Sequence, residues 1–173
     1  MLSHVIAYAG DCRIEGMIAV AEDERFSDAL NQQEQFFLTG VRLVSHADGH
    51  LLELDELRLE REDLFAIEAV GGRGPESRRI HTVRHRLEIR LGPYTVLGQV
   101  HTRPGGEPLV AMGRRPPMIP LTNATIAFND AAGLEARDVE TLIVNRALCE
   151  WVRPDQGDLR VFEGVPVAAA PTI

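Results

Sequence analysis

Val5-Ile6-Ala7-Tyr8-Ala9-Gly10-Asp11-Cys12-Arg13-Ile14-Glu15-Gly16 and Leu87-Glu88-Ile89-Arg90-Leu91-Gly92-Pro93-Tyr94-Thr95-Val96-Leu97-Gly98 are one pattern written twice. Set side by side, they bring Gly10 to Gly92, Ile14 to Val96 and Gly16 to Gly98, and Ile18 then meets Val100. After one residue of drift, Leu38-Thr39 meets Leu121-Thr122 and Leu43 meets Ile126. A further residue of drift sets Gly49 on Gly133, Leu59 on Ile143 and Leu64 on Leu148. The drifts fall where loops accept insertions. Apolar residues and glycines that keep their order and spacing across a chain are the signature of an internal repeat.

Within each copy the apolar period is two, the period of a strand. Val5, Ala7 and Ala9 alternate, then Cys12, Ile14, Gly16, Ile18 and Val20. Leu87, Ile89 and Leu91 are followed by Tyr94, Val96, Gly98 and Val100. The runs break at Gly-Asp and Gly-Pro, which are turn dipeptides, so each copy opens with a hairpin. Further strands run through Phe36 to Val44 and Met118 to Phe128, and the last ones through Leu64 to Val70 and Ala147 to Val152. That predicts an all-β chain with minor helix: about five short, bent strands per copy. One insertion follows the second strand of each. In the first, Phe26, Ala29 and Leu30 form an i, i+3, i+4 stripe, one or two turns of helix. In the second, Pro108 stands early and Gly113 late, and Leu109 and Met112 supply the stripe.

The boundary lies in Gly71-Gly72-Arg73-Gly74-Pro75-Glu76-Ser77-Arg78-Arg79, whose glycines and proline cannot hold a helix or a central strand. The expected organisation is residues 1–70 as unit one, 71–79 as linker, 80–155 as unit two and 156–173 as an apolar tail. Val161-Phe162-Glu163-Gly164-Val165-Pro166-Val167 is too apolar for a solvated end and is expected to dock, with Pro166 limiting it to an edge.

The chain has 173 residues, 45% of them apolar and 25% charged, a globular composition. Its net charge is −8, and all 18 basic residues are Arg. Residues 1–70 hold 15 Asp/Glu against 5 Arg, a net of −10; residues 71–173 hold 11 against 13, a net of +2. An acidic whole argues against nucleic acid and anionic membranes as partners, because both are polyanions. No stretch approaches the roughly 20 apolar residues of a membrane span. The start lacks a basic region followed by a long apolar run, so a cytoplasmic location is expected. Cys12 and Cys149 are far short of a disulfide framework.

Five bent strands in about 70 residues, with a Gly inside the second, resemble a small barrel of the Sm-like kind, since Gly there lets a strand bend sharply. The nearest resemblance is to uncharacterised bacterial proteins with tandem Sm-like units. It is carried by Arg13-Ile14-Glu15-Gly16, Arg25-Phe26-Ser27-Asp28-Ala29-Leu30-Asn31, Phe36-Phe37-Leu38-Thr39-Gly40-Val41 and Val144-Asn145-Arg146. It covers residues 4–70 and 86–153. The resemblance implies two tandem five-stranded barrels that satisfy their open edges by strand pairing, and implies no activity. RNA-binding Sm rings surround each base with an Asp and an Asn of a first motif and an Arg-Gly turn of a second. Here the helical insertion replaces the first motif, and Arg61-Glu62-Asp63 puts carboxylates at the unit-one turn. The uridine pocket is therefore not carried over.

Several clusters are weighed for chemistry. His46-Ala47-Asp48-Gly49-His50 offers two His and one Asp to a metal, although Asp-Gly is also plain turn chemistry. His81 and His85 are a weaker pair. Arg73, Arg78, Arg79, Arg84, Arg86 and Arg90 lie close together after the boundary, and with Asn145 and Arg146 they are the candidate binding residues. Arg binds phosphate and carboxylate bidentately, yet no aromatic stands among them to stack on bases. The preferred partner is unit one itself or an acidic protein surface. Thr102-Arg103-Pro104-Gly105-Gly106-Glu107 resembles a phosphate loop but lacks the Gly-Lys-Ser/Thr ending. Neither cysteine has a base that sequence can locate. Trp151 either fills the core of unit two or sits on an exposed edge. The expectation is a non-enzymatic protein-binding or assembly module, self-associating or partner-bound through strand edges, with no cofactor and no catalytic residues. An RNA-binding ring using Asn145, Arg146 and the Arg cluster, and a small metal-dependent hydrolase using His46, Asp48 and His50, are the alternatives.

Overall fold

The computed structural model describes residues 2–21, 24–69, 81–155 and 167–168. The first half contains β1 (Leu2–Tyr8), β2 (Cys12–Ala19), α1 (Phe26–Gln32), β3 (Gln35–Ser45), β4 (Leu51–Glu60) and β5 (Ala66–Ala69). The second contains β6 (Val83–Leu91), β7 (Tyr94–Thr102), α2 (Pro108–Gly113), β8 (Met118–Asp130), β9 (Gly133–Asn145) and β10 (Trp151–Pro154). The linker 71–79, with Arg73, Arg78 and Arg79, lies outside the described residues. So does most of the tail, of which Val167–Ala168 forms a short strand, β11, parallel to β9 at Ala136 and Arg137.

The protein is mostly β. Its ten main strands form one antiparallel path, β10-β6-β7-β8-β9-β5-β1-β2-β3-β4. This corrects the expectation of two separate closed barrels. Neither five-strand set closes on itself, because β5 pairs with β1 on one side and with β9 on the other. The sheet passes continuously from one half into the other and is open at β4 and β10. The ending strands also begin later than alternation suggested. In both halves a 3-10 turn comes first, at Arg61–Asp63 and Arg146–Leu148, and the second of these takes up Ala147 and Leu148, which were assigned to strand.

Within the path, the order β5-β1-β2-β3-β4 has the same form as β10-β6-β7-β8-β9. The irregularities match as well. The β2–β3 ladder slips between Glu15 and Met17, and the β7–β8 ladder slips between Leu97 and Gln99. The residue skipped is Gly16 in one and Gly98 in the other. The extra residue on the facing strand takes a left-handed backbone both times, Gly40 at φ +59° and Asn123 at φ +46°. Gly98 is needed for space. A Cβ there would stand 3.0 Å from Leu121 Cβ and 3.2 Å from Ala124 Cβ. Beyond the next hairpin the spacing differs from expectation. Leu57 faces Leu38 as Leu142 faces Leu121, so Leu59 corresponds to Val144 and Leu64 to Cys149, each one residue later than predicted.

Two apolar cores result. Core one gathers β1, β2, β3 and α1, and Phe26, Ala29 and Leu30 are buried in it as their spacing predicts. Core two gathers β6 to β9 and Met112 of α2. Leu109 does not join that stripe but is exposed, since α2 is a six-residue helix presenting one side chain inward. Tyr8, Ile6 and Ala66 of the first half belong to core two, and Met118 and Ile143 of the second half to core one. The halves are therefore interlocked.

Gly92 is one point of that interlock. It turns the β6–β7 hairpin at φ +55°, and a Cβ there would come within 2.7 Å of Phe65 Cε1. Gly92→Ala should lower the free energy of unfolding by about 1–3 kcal/mol, from left-handed strain and overpacking together. Gly113→Ala, where a Cβ meets nothing, should be neutral or stabilising by up to about 1 kcal/mol. Urea unfolding of the two variants tests the contrast.

Candidate functional site

The junction between the halves is the most elaborate feature of the molecule. Its ladder is short: Ala66 faces Val144, Ile67 faces Ile143 and Glu68 faces Leu142. Asn145 N donates to Phe65 O at 2.8 Å, and Phe65 N donates to Tyr8 O at 2.9 Å, extending the pairing by one step. Above the ladder an aromatic group forms across the halves. Tyr8 meets Tyr94 edge-on at 5.6 Å, and Phe128, Phe65 and His46 pack around them. The Tyr94 hydroxyl donates to the Ala9 carbonyl, and His46 Nε2 lies 2.8 Å from the same hydroxyl. Beside them stand ion pairs between halves, Arg137 to Glu68 at 3.9 Å and Arg13 to Glu135 at 3.5 Å. On the other flank Asn31 clamps α1 to β8: its Nδ2 donates to Met118 O at 2.9 Å, and its Oδ1 accepts from Met118 N at 2.9 Å.

Burial shapes the titration of this region. It pushes the Tyr8 and Tyr94 hydroxyls well above the ordinary tyrosine range and the Cys12 thiol up to about 12. It raises Glu68, against the opposing pull of Arg137, and it raises Glu135, helped by a hydrogen bond with Asp130. It lowers the His46 imidazole, and Arg13 adds to that. The Tyr8 hydroxyl and Glu68 Oε2 are buried with no hydrogen-bond partner among the described residues. A thiol that far above neutral is not an activated nucleophile, and Cys149, raised to about 11, is no different.

The candidate residues are placed as follows. His46, Asp48 and His50 do not converge. His46 turns into the aromatic group, whereas Asp48 Oδ1 accepts from His50 N at 3.0 Å within an exposed turn. Among the described residues no three His, Cys, Asp or Glu are grouped to hold a metal. Asn145 is buried, its Nδ2 donating to Arg61 O and its Oδ1 accepting from Ala147 N, so it braces the junction. Arg146 folds back, donating from Nη2 to Arg115 O at 3.1 Å. Among the described residues, Arg84, Arg86 and Arg90 form no ion pair with unit one. They lie on β6, one strand in from the far edge, where Arg86 pairs with Asp155 at 2.6 Å and Arg90 bonds Thr95 at 2.9 Å. Trp151 is 41% exposed on β10, with the Arg153 guanidinium 4.9 Å above its ring. A cleft of about 330 Å³ lies at the junction beside Asn145 and Pro117, but Glu34, Glu60 and Glu62 line it. Its one cation, Arg61, already donates to the carbonyls of Asn31 and Gln33.

The two open strands differ from their buried counterparts. On β9, Val139, Leu142, Ile143 and Val144 are all buried. On β4, which stands at the corresponding place, Leu51 and Leu52 are each 43% exposed, and Leu54 and Leu57 only partly buried against core one. Core two is completed by Ile6, Tyr8 and Ala66 reaching in from the neighbouring half; among the described residues core one has no such neighbour across β4. The roles of Tyr8 and Ile6 went unread in the alternation of Val5, Ala7 and Ala9. The signal was present, because Val5 to Ala9 is apolar at every position, the mark of a strand buried on both faces.

Compared with protein-family models, curated proteins and solved structures, the chain has no match. No helix among the described residues is long and apolar enough to cross a membrane.

Glu68 supplies a test of the junction. Its folded-state pKa is raised, so its charged form costs stability, and that cost grows as pH rises through the folded value. Glu68→Gln should therefore raise the urea midpoint at pH 7, with the gain shrinking toward pH values below the ordinary glutamate range. A Gln variant less stable than the parent at pH 7 would show that the ion pair to Arg137 outweighs burial.

Proposed function

We propose that the protein is a non-enzymatic assembly module: a tandem of two Sm-like units that associates through its open strands, with β10 of one chain pairing with β4 of the next. The observation that carries this is the unfinished core beside β4, set against the finished core beside β9. The matching strand orders, matching bulges and matching 3-10 turns support the reading of two copies of one unit. What β5 does for β9 inside the chain, β10 can then do for β4 between chains. Antiparallel strands left open at a sheet edge are templates for such pairing, and an interface between two different surfaces repeats head to tail.

The internal junction sets the register. Trp151, Val152 and Arg153 stand where Ala66, Ile67 and Glu68 do, and Leu59, Arg58 and Leu57 stand where Val144, Ile143 and Leu142 do. The reading therefore pairs Trp151 with Leu59, Val152 with Arg58 and Arg153 with Leu57 of a second chain. Trp151 would leave water for the open side of core one, worth roughly 1.5–3 kcal/mol as buried apolar surface. Charge is complementary as well. β4 presents Glu53, Asp55 and Glu56, while the β10–β6 side presents Arg84, Arg86, Arg90 and Arg153. Opposite signs on the two surfaces speed encounter and fix orientation.

The test is register-specific cross-linking. A chain carrying both Arg58→Cys and Val152→Cys should oxidise to a ladder of covalent dimers, trimers and higher species, because facing residues of an antiparallel pair meet disulfide geometry. Either substitution alone should not produce the ladder. Sedimentation should show the parent as a multimer and Arg58→Pro, which bars a strand from that edge, as a smaller species. A parent that sediments as a monomer at every accessible concentration, or a multimer indifferent to Arg58→Pro and without the ladder, would overturn the reading.

A further inference from the structure

The two 3-10 turns hold their backbones alike. Arg61 N donates to Glu34 O at 2.8 Å, and Arg146 N donates to Pro117 O at 2.7 Å. Leu64 N donates to Arg61 O and Cys149 N to Arg146 O, both at 3.2 Å. Each arginine side chain folds back onto the segment before the next strand-rich stretch of its half. Arg61 donates to the Asn31 and Gln33 carbonyls ahead of β3, and Arg146 donates to the Arg115 carbonyl ahead of β8. Glu34, Glu60, Arg61 and Glu62 of the first half therefore correspond to Pro117, Asn145, Arg146 and Ala147 of the second.

At the junction inside the chain, the first turn meets the end of β9. Asn145 Nδ2 donates to Arg61 O at 2.9 Å, and Pro117, Asn145 and Ala147 wall the cleft that Arg61 lines. The second half thus brings Arg61 a ring, an amide and a methyl, and no charge. On the open side the correspondence changes character. β4 ends at Glu60, and Glu34, Glu60 and Glu62 stand where Pro117, Asn145 and Ala147 do. Glu60 reaches only Arg58 of its own strand, at 3.3 Å. Arg146, the counterpart of Arg61, has its Nε buried without a hydrogen-bond partner among the described residues. A chain that docks β10 on β4 of another therefore carries Arg146 to carboxylates, where Arg61 meets none from the other half.

We propose that Arg146 determines the specificity of the joint between chains by pairing with Glu60 and Glu62 of the next molecule. The inference rests on the reading that β10 of one chain meets β4 of another. A guanidinium nitrogen out of water needs an acceptor, and a carboxylate is the strongest one a side chain offers. The neighbouring chain would also exclude water from the pair and so strengthen it. Charge placed in this way selects the partner more than it adds affinity. Two β4 strands meeting edge to edge would set Glu60 and Glu62 of one chain near the same carboxylates of the other, which disfavours that wrong joint. The joint inside the chain needs no such selection, since its two sides are tethered, and there Asn145 takes the place of a charge.

Sedimentation of the full chain over a concentration series is the test, with the Arg58→Cys, Val152→Cys ladder as the report of register. Arg146→Gln, and separately Glu60→Gln with Glu62→Gln, should each move the association midpoint to about tenfold higher concentration. Combining all three should move it little further, because the same pairing is lost either way. Arg146→Glu should weaken association more, and Glu60→Arg with Glu62→Arg in the same chain should restore it. Urea midpoints show whether each variant folds as the parent does; should Arg146→Gln unfold early, the glutamate variants carry the test, since Glu62 is exposed. An intact ladder with association unchanged in the glutamate variants would overturn this inference and leave the assembly reading standing, as would losses that simply add in the combined variant. A parent that neither associates nor forms the ladder would remove both.

Discussion

β1 is a strand with two insides, and the rest of the structure depends on that. Val5 and Ala7 face core one, and Ile6 and Tyr8 face core two. All four are less than a tenth exposed. A strand of a single half-solvated sheet would carry polar residues on one face. Here the second face is dry because the end of β9 and the β6–β7 hairpin lie across it, tied by the β5–β9 ladder and by Tyr94 reaching back to Ala9. The apolar surface on β1 thus makes the first half incomplete without the second.

The same logic explains what the two halves do not share. The second half has its own first strand, β6, and its outer face carries Glu88 and Arg90 at the places of Ile6 and Tyr8. Among the described residues no strand covers that face as β9 covers β1, although Glu88 is buried there. Its charges are met locally, Glu88 by Arg153 and Arg90 by Thr95. The face is thus polar but locally neutralised, and Trp151 stands beside it as an exposed aromatic. Polar rim and single large aromatic anchor together describe a surface that is stable when bare and able to pack when met.

Much of this was legible in the residues. Alternation gave the hairpins, the paired glycines gave the matching bulges, and Phe26, Ala29 and Leu30 gave α1. What was not legible has a physical reason in each case. The continuity of the sheet through β5 and β9 rests on six facing residues, too few to leave a pattern. The offset after Gly49 and Gly133 was misjudged by one because the turn that absorbs it carries no fixed spacing, and a slip of one residue in a strand exchanges its faces. The basic residues after the boundary were legible as a cluster, but their destination was not. Net charges of −10 and +2 suggested attraction between the halves, while among the described residues the halves are joined mainly by apolar and aromatic contact, with the pairs Arg13–Glu135 and Arg137–Glu68 at its margin.

That division of labour places the charge where it can act. A junction built from Ile6, Tyr8, Ala66, Phe65 and Tyr94 holds without the arginines of β6, because apolar burial is non-directional and needs no charge partner. Arg84, Arg86 and Arg90 are therefore left on β6, near the opposite end of the sheet path from β4. Unit one in turn leaves Glu53, Asp55 and Glu56 uncovered on β4. Within one chain these surfaces stand at opposite ends of the sheet path and cannot neutralise each other. Between chains they can, and the field that each end projects favours the opposite end of another molecule over its own kind.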